Sequence, residues 1–309
     1  MIKPFVRILV VVLAVALLVV GGSPIGLAQP RKLSVVTSST VFVDMIQRVG
    51  GDQVDAFSLV PAGADVHTFQ PTPRDVQRAS TARLAVWNGF GLDEIAENTV
   101  ANLNVADLLT VTMADGLDAI MDAEHGPDHE MDADGHEHAD GNPHFWLDPR
   151  NAVRYVEQIR DALSAADPVN ATSYAGNAGR YIAEINEVDA WAEGQISQIP
   201  PARRKLVTFH DAFPYLARRY GLDVVGVVLK SPGREPSAQE VAEVVTQIKS
   251  QSIPAVYVEP QFNSRILDLA ARDAGVSVRV LYSDALDDRV KSYLELMRFN
   301  VKSLVEGLK

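Results

Sequence analysis

The chain has 309 residues, no cysteine, and 40 acidic against 28 basic side chains, for a formal charge of −12. That balance argues against nucleic acid and anionic membrane surfaces as partners and suits a cationic ligand, though solubility alone accounts for it equally well. Without cysteine there are no disulfides and no thiol to carry a lipid.

Lys3 and Arg7 precede an unbroken apolar stretch of 13 residues, 8–20, and Gly26 and Ala28 occupy the small-residue positions of an A-x-A-like site. The stretch falls short of the roughly 20 residues that span a bilayer. Residues 1–28 therefore read as a secretory signal peptide cut after Ala28. Its removal takes Lys3 and Arg7 with it and moves the formal charge from −12 to −14. A soluble periplasmic protein without lipid is expected, and the remaining ~280 residues call for two domains rather than one core.

Short apolar runs then alternate with longer amphipathic ones, the pattern of βα units around parallel sheets. Strands are expected at 33–37, 54–59 and 84–87, with helices at 41–49 and 73–80 between them. His67 lies in LVPAGADVHTFQPTPRD, after the second strand and before a helix opened by Pro73.

Residues 121–141 differ in kind. Eight of the 21 are Asp or Glu, and four are histidines: His125, His129, His136 and His138. Such a segment cannot bury a core and is expected to be disordered without ligand. His144 follows at once, in NPHFWLDPR, within a turn before a short apolar segment.

Over 169–199, Tyr174, Ala178, Tyr181, Ile185, Val188, Ile196 and Ile199 recur at roughly helical spacing. A helix of about 30 residues would run about 45 Å, enough to join two lobes as a strut that permits only limited rocking. Gly176, Gly179 and Gly194 weaken the pattern, but no proline interrupts it before Pro200.

A second alternating series follows, with strands expected at 205–209, 223–228, 255–258 and 276–281. Helices are expected at 237–249, where Ser237 and Glu240 have capping-box spacing, and at 264–273. His210 directly follows a strand in KLVTFHDAFPYLARRYG, where Asp211 is expected to begin and cap the next helix. Asp284 lies three residues past Leu281. The expected division is a first lobe at 29–168, a linker helix at 169–200 and a second lobe at 201–309.

Ligands of doubly wound sheets bind at the carboxyl ends of strands, and His67, His210 and Asp284 all fall there. A single histidine at such a place is more often a structural residue than a ligand. Three of them in converging loops are harder to dismiss. Asp284 is not separable by spacing from Asp287 and Asp288.

The stretches PAGADVHTFQPTPRD, NPHFWLDP, KLVTFHDAFPYLARRYGL, REPSAQEVAEVV, AVYVEPQFN and YSDAL, in that order, resemble the ZnuA/TroA-type metal-binding receptors of ABC transporters. The resemblance spans 33–309. It implies two α/β lobes with parallel sheets joined by one long rigid helix, with a metal ion between the lobes held by His67, His144, His210 and Asp284. Manganese-selective members of that family usually carry a carboxylate at the position matching His210. Three imidazoles and one carboxylate suit four-coordinate zinc, with manganese the alternative.

Asp65, Asp211 and Glu259 are candidates to orient the imidazoles. The acidic segment, with His125, His129, His136 and His138, is expected to capture zinc weakly and pass it inward. The implied partners are an ABC permease and a periplasmic zinc metallochaperone, with the receptor itself a monomer. Two rivals are weaker. A zinc hydrolase lacks support, since neither H-E-x-x-H nor G-x-S-x-G occurs. A surface adhesin of the same fold is disfavoured by the missing lipid-attachment cysteine.

Overall fold

Valine-rich runs bounded by Gly, Pro and Ser build two parallel sheets of four strands each. The computed structural model describes residues 32–121, 141–229, 233, 235–263 and 265–309. Its first sheet holds β1 (Leu33–Thr37), β2 (Val54–Ser58), β3 (Leu84–Trp87) and β4 (Leu109–Thr112) in the order β2-β1-β3-β4. The second holds β5 (Lys205–His210), β6 (Asp223–Leu229), β7 (Ala255–Val258) and β8 (Ser277–Val280) in the order β6-β5-β7-β8. Both sheets have the same winding, with the topological switch between their two central strands. The expected signal peptide, 1–28, and residues 122–140 with their four histidines lie outside the described residues.

Helices cover the sheets: α1 (Thr40–Gly50), α2 (Pro73–Ala79), α3 (Glu94–Ala101), α4 (Pro149–Ala166), α5 (Ala171–Ile196), α6 (Pro214–Tyr220), α7 (Ala238–Ser250), α8 (Arg265–Ala274) and α9 (Tyr293–Leu308). The capping box expected at Ser237 and Glu240 opens α7, and a second one, Thr72 with Asp75, opens α2. The expectation for Asp211 does not hold. The helix after β5 starts at Pro214 with Phe213 in the cap position, because the proline ring suits the first helical turn.

The long helix is α5, 26 residues rather than about 30, or about 39 Å. It ends at Ile196, short of the Pro200-Pro201 pair. Its three glycines are tolerated because Tyr174, Ala178, Tyr181, Ile185, Val188, Ala192 and Ile196 form one buried stripe. That stripe packs on α1 and α4 from the first half and on α9 from the second.

One buried apolar cluster therefore runs through both halves, from Val35 and Phe42 through Phe145, Trp146 and Tyr181 to Tyr293 and Leu304. Trp146 is its pivot. The indole is fully buried, stands edge-on to Phe42 at 5.0 Å, and donates from Nε1 to the carbonyl of Ser283 at 3.1 Å. Its own carbonyl accepts the Tyr293 hydroxyl at 2.8 Å.

Trp146→Ala would leave a cavity where the two halves meet and strip a donor from a buried carbonyl. A loss of about 3–5 kcal/mol is expected in urea unfolding monitored by circular dichroism; a loss under about 1 kcal/mol would show that the surroundings collapse to fill the space.

Candidate metal centre

Four turns bring the site together at the carboxyl ends of the strands. The turn after β2 carries His67. It is shaped by Asp65, whose Oδ1 accepts the His67 backbone N–H at 3.0 Å and whose Oδ2 accepts the Thr68 hydroxyl at 2.7 Å, a local Asx turn.

His144 precedes the buried turn Phe145–Leu147. Asn142 reaches it twice: Oδ1 lies 3.1 Å from the backbone N–H and 2.9 Å from ring Nδ1. Asn142 is itself held from the second half. Its Nδ2 donates to the Asp211 carbonyl at 2.6 Å, and its carbonyl accepts the Tyr215 hydroxyl at 2.7 Å.

His210 ends β5. The parallel register that sets Thr208 beside Tyr257 sets His210 beside Glu259 just past β7. Nδ1 of His210 lies 2.6 Å from Glu259 Oε1. Of the three carboxylates expected to orient imidazoles, Glu259 meets a ring nitrogen. Asp65 braces the His67 backbone, and Asp211 meets the site through its carbonyl. Asn142, which the sequence reading missed, does for His144 what Glu259 does for His210.

Asp284 follows β8, in a loop clasped by the first half. The Ser39 hydroxyl caps α1 by accepting from Val41 N–H and donates to the Asp284 carbonyl. The Thr40 hydroxyl accepts the Leu286 N–H at 2.7 Å, and Asp44 accepts the Tyr293 N–H at 2.9 Å.

The outcome is convergence. Ligand atoms of His67, His144, His210 and Asp284 lie within 4.8 Å of one another. The two Nε2 atoms of His144 and His210 are 3.1 Å apart. Asp284 Oδ1 is 3.4 Å from His144 Nε2, while its Oδ2 is 3.8 Å from His210 Nε2 and 3.9 Å from His67 Nε2. Donors at about 2.0–2.1 Å around one tetrahedral ion stand about 3.4 Å apart, so the spacing fits a single ion with little adjustment. Two buried atoms of this group, His67 Nε2 and Asp284 Oδ1, have no hydrogen-bond partner. Such atoms are paired as a rule in an interior, and both belong to the cluster of candidate ligands.

Burial governs the protonation of the group. It pulls His67 down to about 4, helped by the charge of His210 and opposed by Asp65. It lowers His144 well below the usual imidazole range, with His210 and His67 adding to the effect. At His210 burial also works downward, but the charge and hydrogen bond of Glu259 outweigh it and hold the imidazole up at about 9. Burial lifts Asp284 to about 7 against the pull of His210.

Behind His144 lies a further polar brace. Asn88 donates from Nδ2 to the Pro143 carbonyl at 2.9 Å and accepts the Tyr155 hydroxyl, while its backbone N–H donates to Asp93. Asp93 is fully enclosed, and burial pushes its carboxyl up to about 8 against the backbone N–H groups of Asn88 and Gly89.

A model of the family described as "Zinc-uptake complex component A periplasmic" matches residues 35–307. A manganese-binding lipoprotein, MntA, of Halalkalibacterium halodurans is 31% identical over 281 residues, covering 89% of this chain and 88% of that one. An iron-binding protein, YfeA, of Yersinia pestis is 32% identical over 281 residues, covering 90% and 86%. The solved Mn-bound periplasmic metal-binding protein of Candidatus Liberibacter asiaticus superposes with a TM-score of 0.76 at 28% identity, over 90% of this chain and all of that one.

Because the folded pKa of Asp93 sits above its unfolded value of about 3.9, its contribution to stability is full below about pH 4 and is lost as pH rises through about 8. Asp93→Asn, which cannot ionise, should flatten the fall in Tm between pH 5 and 8. An equally steep profile in the variant would mean that Asp93 does not titrate in that window.

Proposed function

Since the chain belongs to the ZnuA family of periplasmic metal-uptake components, a family of receptors rather than enzymes, we propose that it captures Zn(II) and delivers it to an ABC permease. The observation that carries this reading is the donor set. Nε2 atoms of His67, His144 and His210 converge with the Asp284 carboxylate inside 4.8 Å. Imidazole is a borderline-soft donor, and four donors at tetrahedral spacing are what zinc takes up. Manganese prefers more oxygen and six ligands. The second reading is manganese, favoured by the name of the H. halodurans relative. A carboxylate in place of His210 would favour it further, but that position is an imidazole.

The remaining parts of the proposal concern export and metal delivery. The signal peptide, 1–28, directs export. With no cysteine to carry lipid, the mature receptor works free in the periplasm as a monomer, unlike relatives named as lipoproteins. His125, His129, His136 and His138, among eight carboxylates just upstream of His144, concentrate zinc by charge and weak imidazole ligation. They accept it from solution or from a periplasmic metallochaperone and pass it to the buried site.

Titration with zinc and with manganese against a competing chelator tests the metal; tighter binding of manganese than of zinc would overturn zinc. In the same assay His210→Ala should lower zinc affinity by two or more orders of magnitude (~100-fold, the upper range for disturbing a metal shell) while leaving the fold intact. His129→Ala should leave equilibrium affinity nearly unchanged and slow only transfer from a chelated donor. Unchanged affinity in His210→Ala would remove that residue from the ligand set.

A further inference from the structure

We propose that Gln261 sets the metal preference of the site by engaging one oxygen of Asp284, so that the carboxylate offers the ion a single oxygen and the ion keeps four ligands. The proposal rests on the zinc reading above and deepens it.

The two oxygens of Asp284 are not equivalent. Oδ2 accepts a hydrogen bond from Gln261 Nε2 at 3.3 Å, and the same nitrogen donates to the Ser283 hydroxyl at 2.9 Å. Both hydrogens of the amide are thereby used, and a carboxylate, which only accepts, requires the nitrogen rather than the oxygen of the amide to face it. Oδ1 accepts no hydrogen bond, is buried, and lies 3.4 Å from His144 Nε2. Oδ2 is hydrogen-bonded by Gln261 while also lying 3.8 Å from His210 Nε2 and 3.9 Å from His67 Nε2, and Oδ1 carries no hydrogen bond.

The carboxylate has little other freedom. Its backbone is fixed by the Ser39 hydroxyl on its own carbonyl and by Trp146 on the carbonyl of Ser283. What remains is rotation of the carboxyl group, and rotation is what decides between one-oxygen and two-oxygen coordination. An N–H on Oδ2 resists the rotation and withdraws electron density from that oxygen. The effect is a bias, because Oδ2 keeps a second lone pair.

Gln261 stands two residues past Glu259, so one short turn after β7 supports two ligands of different kinds. Glu259 faces the imidazole of His210, and Gln261 faces the carboxylate of Asp284. Zinc gains from a fixed four-donor set, whereas manganese gains from each added oxygen. Releasing Oδ2 therefore helps manganese more than zinc.

The test compares full-length mature wild type with Gln261→Met, which keeps the length of the side chain and removes the donor. Zinc and manganese affinities are measured against a chelator, and Co(II) is added alone as a spectroscopic probe of ligand number. Wild type should prefer zinc and give the intense visible absorption of tetrahedral cobalt. In Gln261→Met the zinc-to-manganese affinity ratio should fall about tenfold or more, the lower range for outer-shell changes, and the cobalt band should weaken toward that of five or six ligands. An unchanged ratio and band in a folded variant would overturn the role of Gln261 while leaving zinc as the cargo. A wild type that binds manganese as tightly as zinc would overturn both. Gln261→Ala reads the same quantities should the first variant fail to fold.

Discussion

Three imidazoles and a carboxylate can be enclosed together only if each polar atom not meant for a ligand has a partner, because an orphaned polar atom in the interior costs about 1–3 kcal/mol. The centre divides most of its atoms along that line, although Glu259 Oε2 is buried without a partner as well. Nδ1 of His210 is engaged by Glu259 and Nδ1 of His144 by Asn142, which turns both Nε2 atoms inward. The carbonyl of Asp284 takes the Ser39 hydroxyl, and its Oδ2 takes Gln261. His67 Nε2 and Asp284 Oδ1 are left without partners. The unmade bonds and the made ones point to the same place. An ion there would satisfy His67 Nε2 and Asp284 Oδ1.

That division was only partly legible in the sequence. His67, His210 and Asp284 stand at strand ends, and the doubly wound topology guarantees that strand ends of one sheet meet. His144 has no such warrant, since it lies in a turn outside either sheet, and only its motif marked it. Glu259 became significant through register, because Thr208 opposite Tyr257 places residue 210 beside residue 259. Strand order, which sets that pairing, is not written in any one segment. Asn142 opened the NPHFWLDP stretch, but nothing in its spacing marked it as the partner of the His144 ring. Asp284 could not be told from Asp287 by spacing. Asp287 is in fact engaged by Arg289 and the Tyr282 hydroxyl in the turn that leads to α9.

The elements show a similar split. Seven strands were readable as apolar runs, whereas β4, LTVT, escaped because it is an edge strand with its first two residues exposed. The amphipathic α4 had a visible stripe, Ala152, Tyr155, Val156, Ile159 and Leu163, opened by Asp148 and Pro149, but the eye falls first on the histidines beside it. The glycines of α5 weakened its pattern without breaking it. Propensity costs near 1 kcal/mol per glycine are small beside the burial of two tyrosines and five aliphatic side chains along one face.

The same contacts make the four residues of the cluster mechanically unequal. Asp284 belongs by sequence to the second half, yet hydrogen bonds donated by Ser39 and Trp146 and accepted by Thr40 and Asp44 fasten its loop to the first. His144 is bound the other way, through Asn142 to Asp211 and Tyr215 of the second half. Separating the halves as rigid bodies would break both sets at once and open the continuous core around Trp146. The turn of His67 is different. Among the described residues its hydrogen bonds are local: the His67 N–H and Thr68 hydroxyl donate to the Asp65 carboxylate, and the Thr68 and Phe69 N–H groups donate to the Asp65 carbonyl. Segments held by local bonds open at lower free energy than those tied into a core.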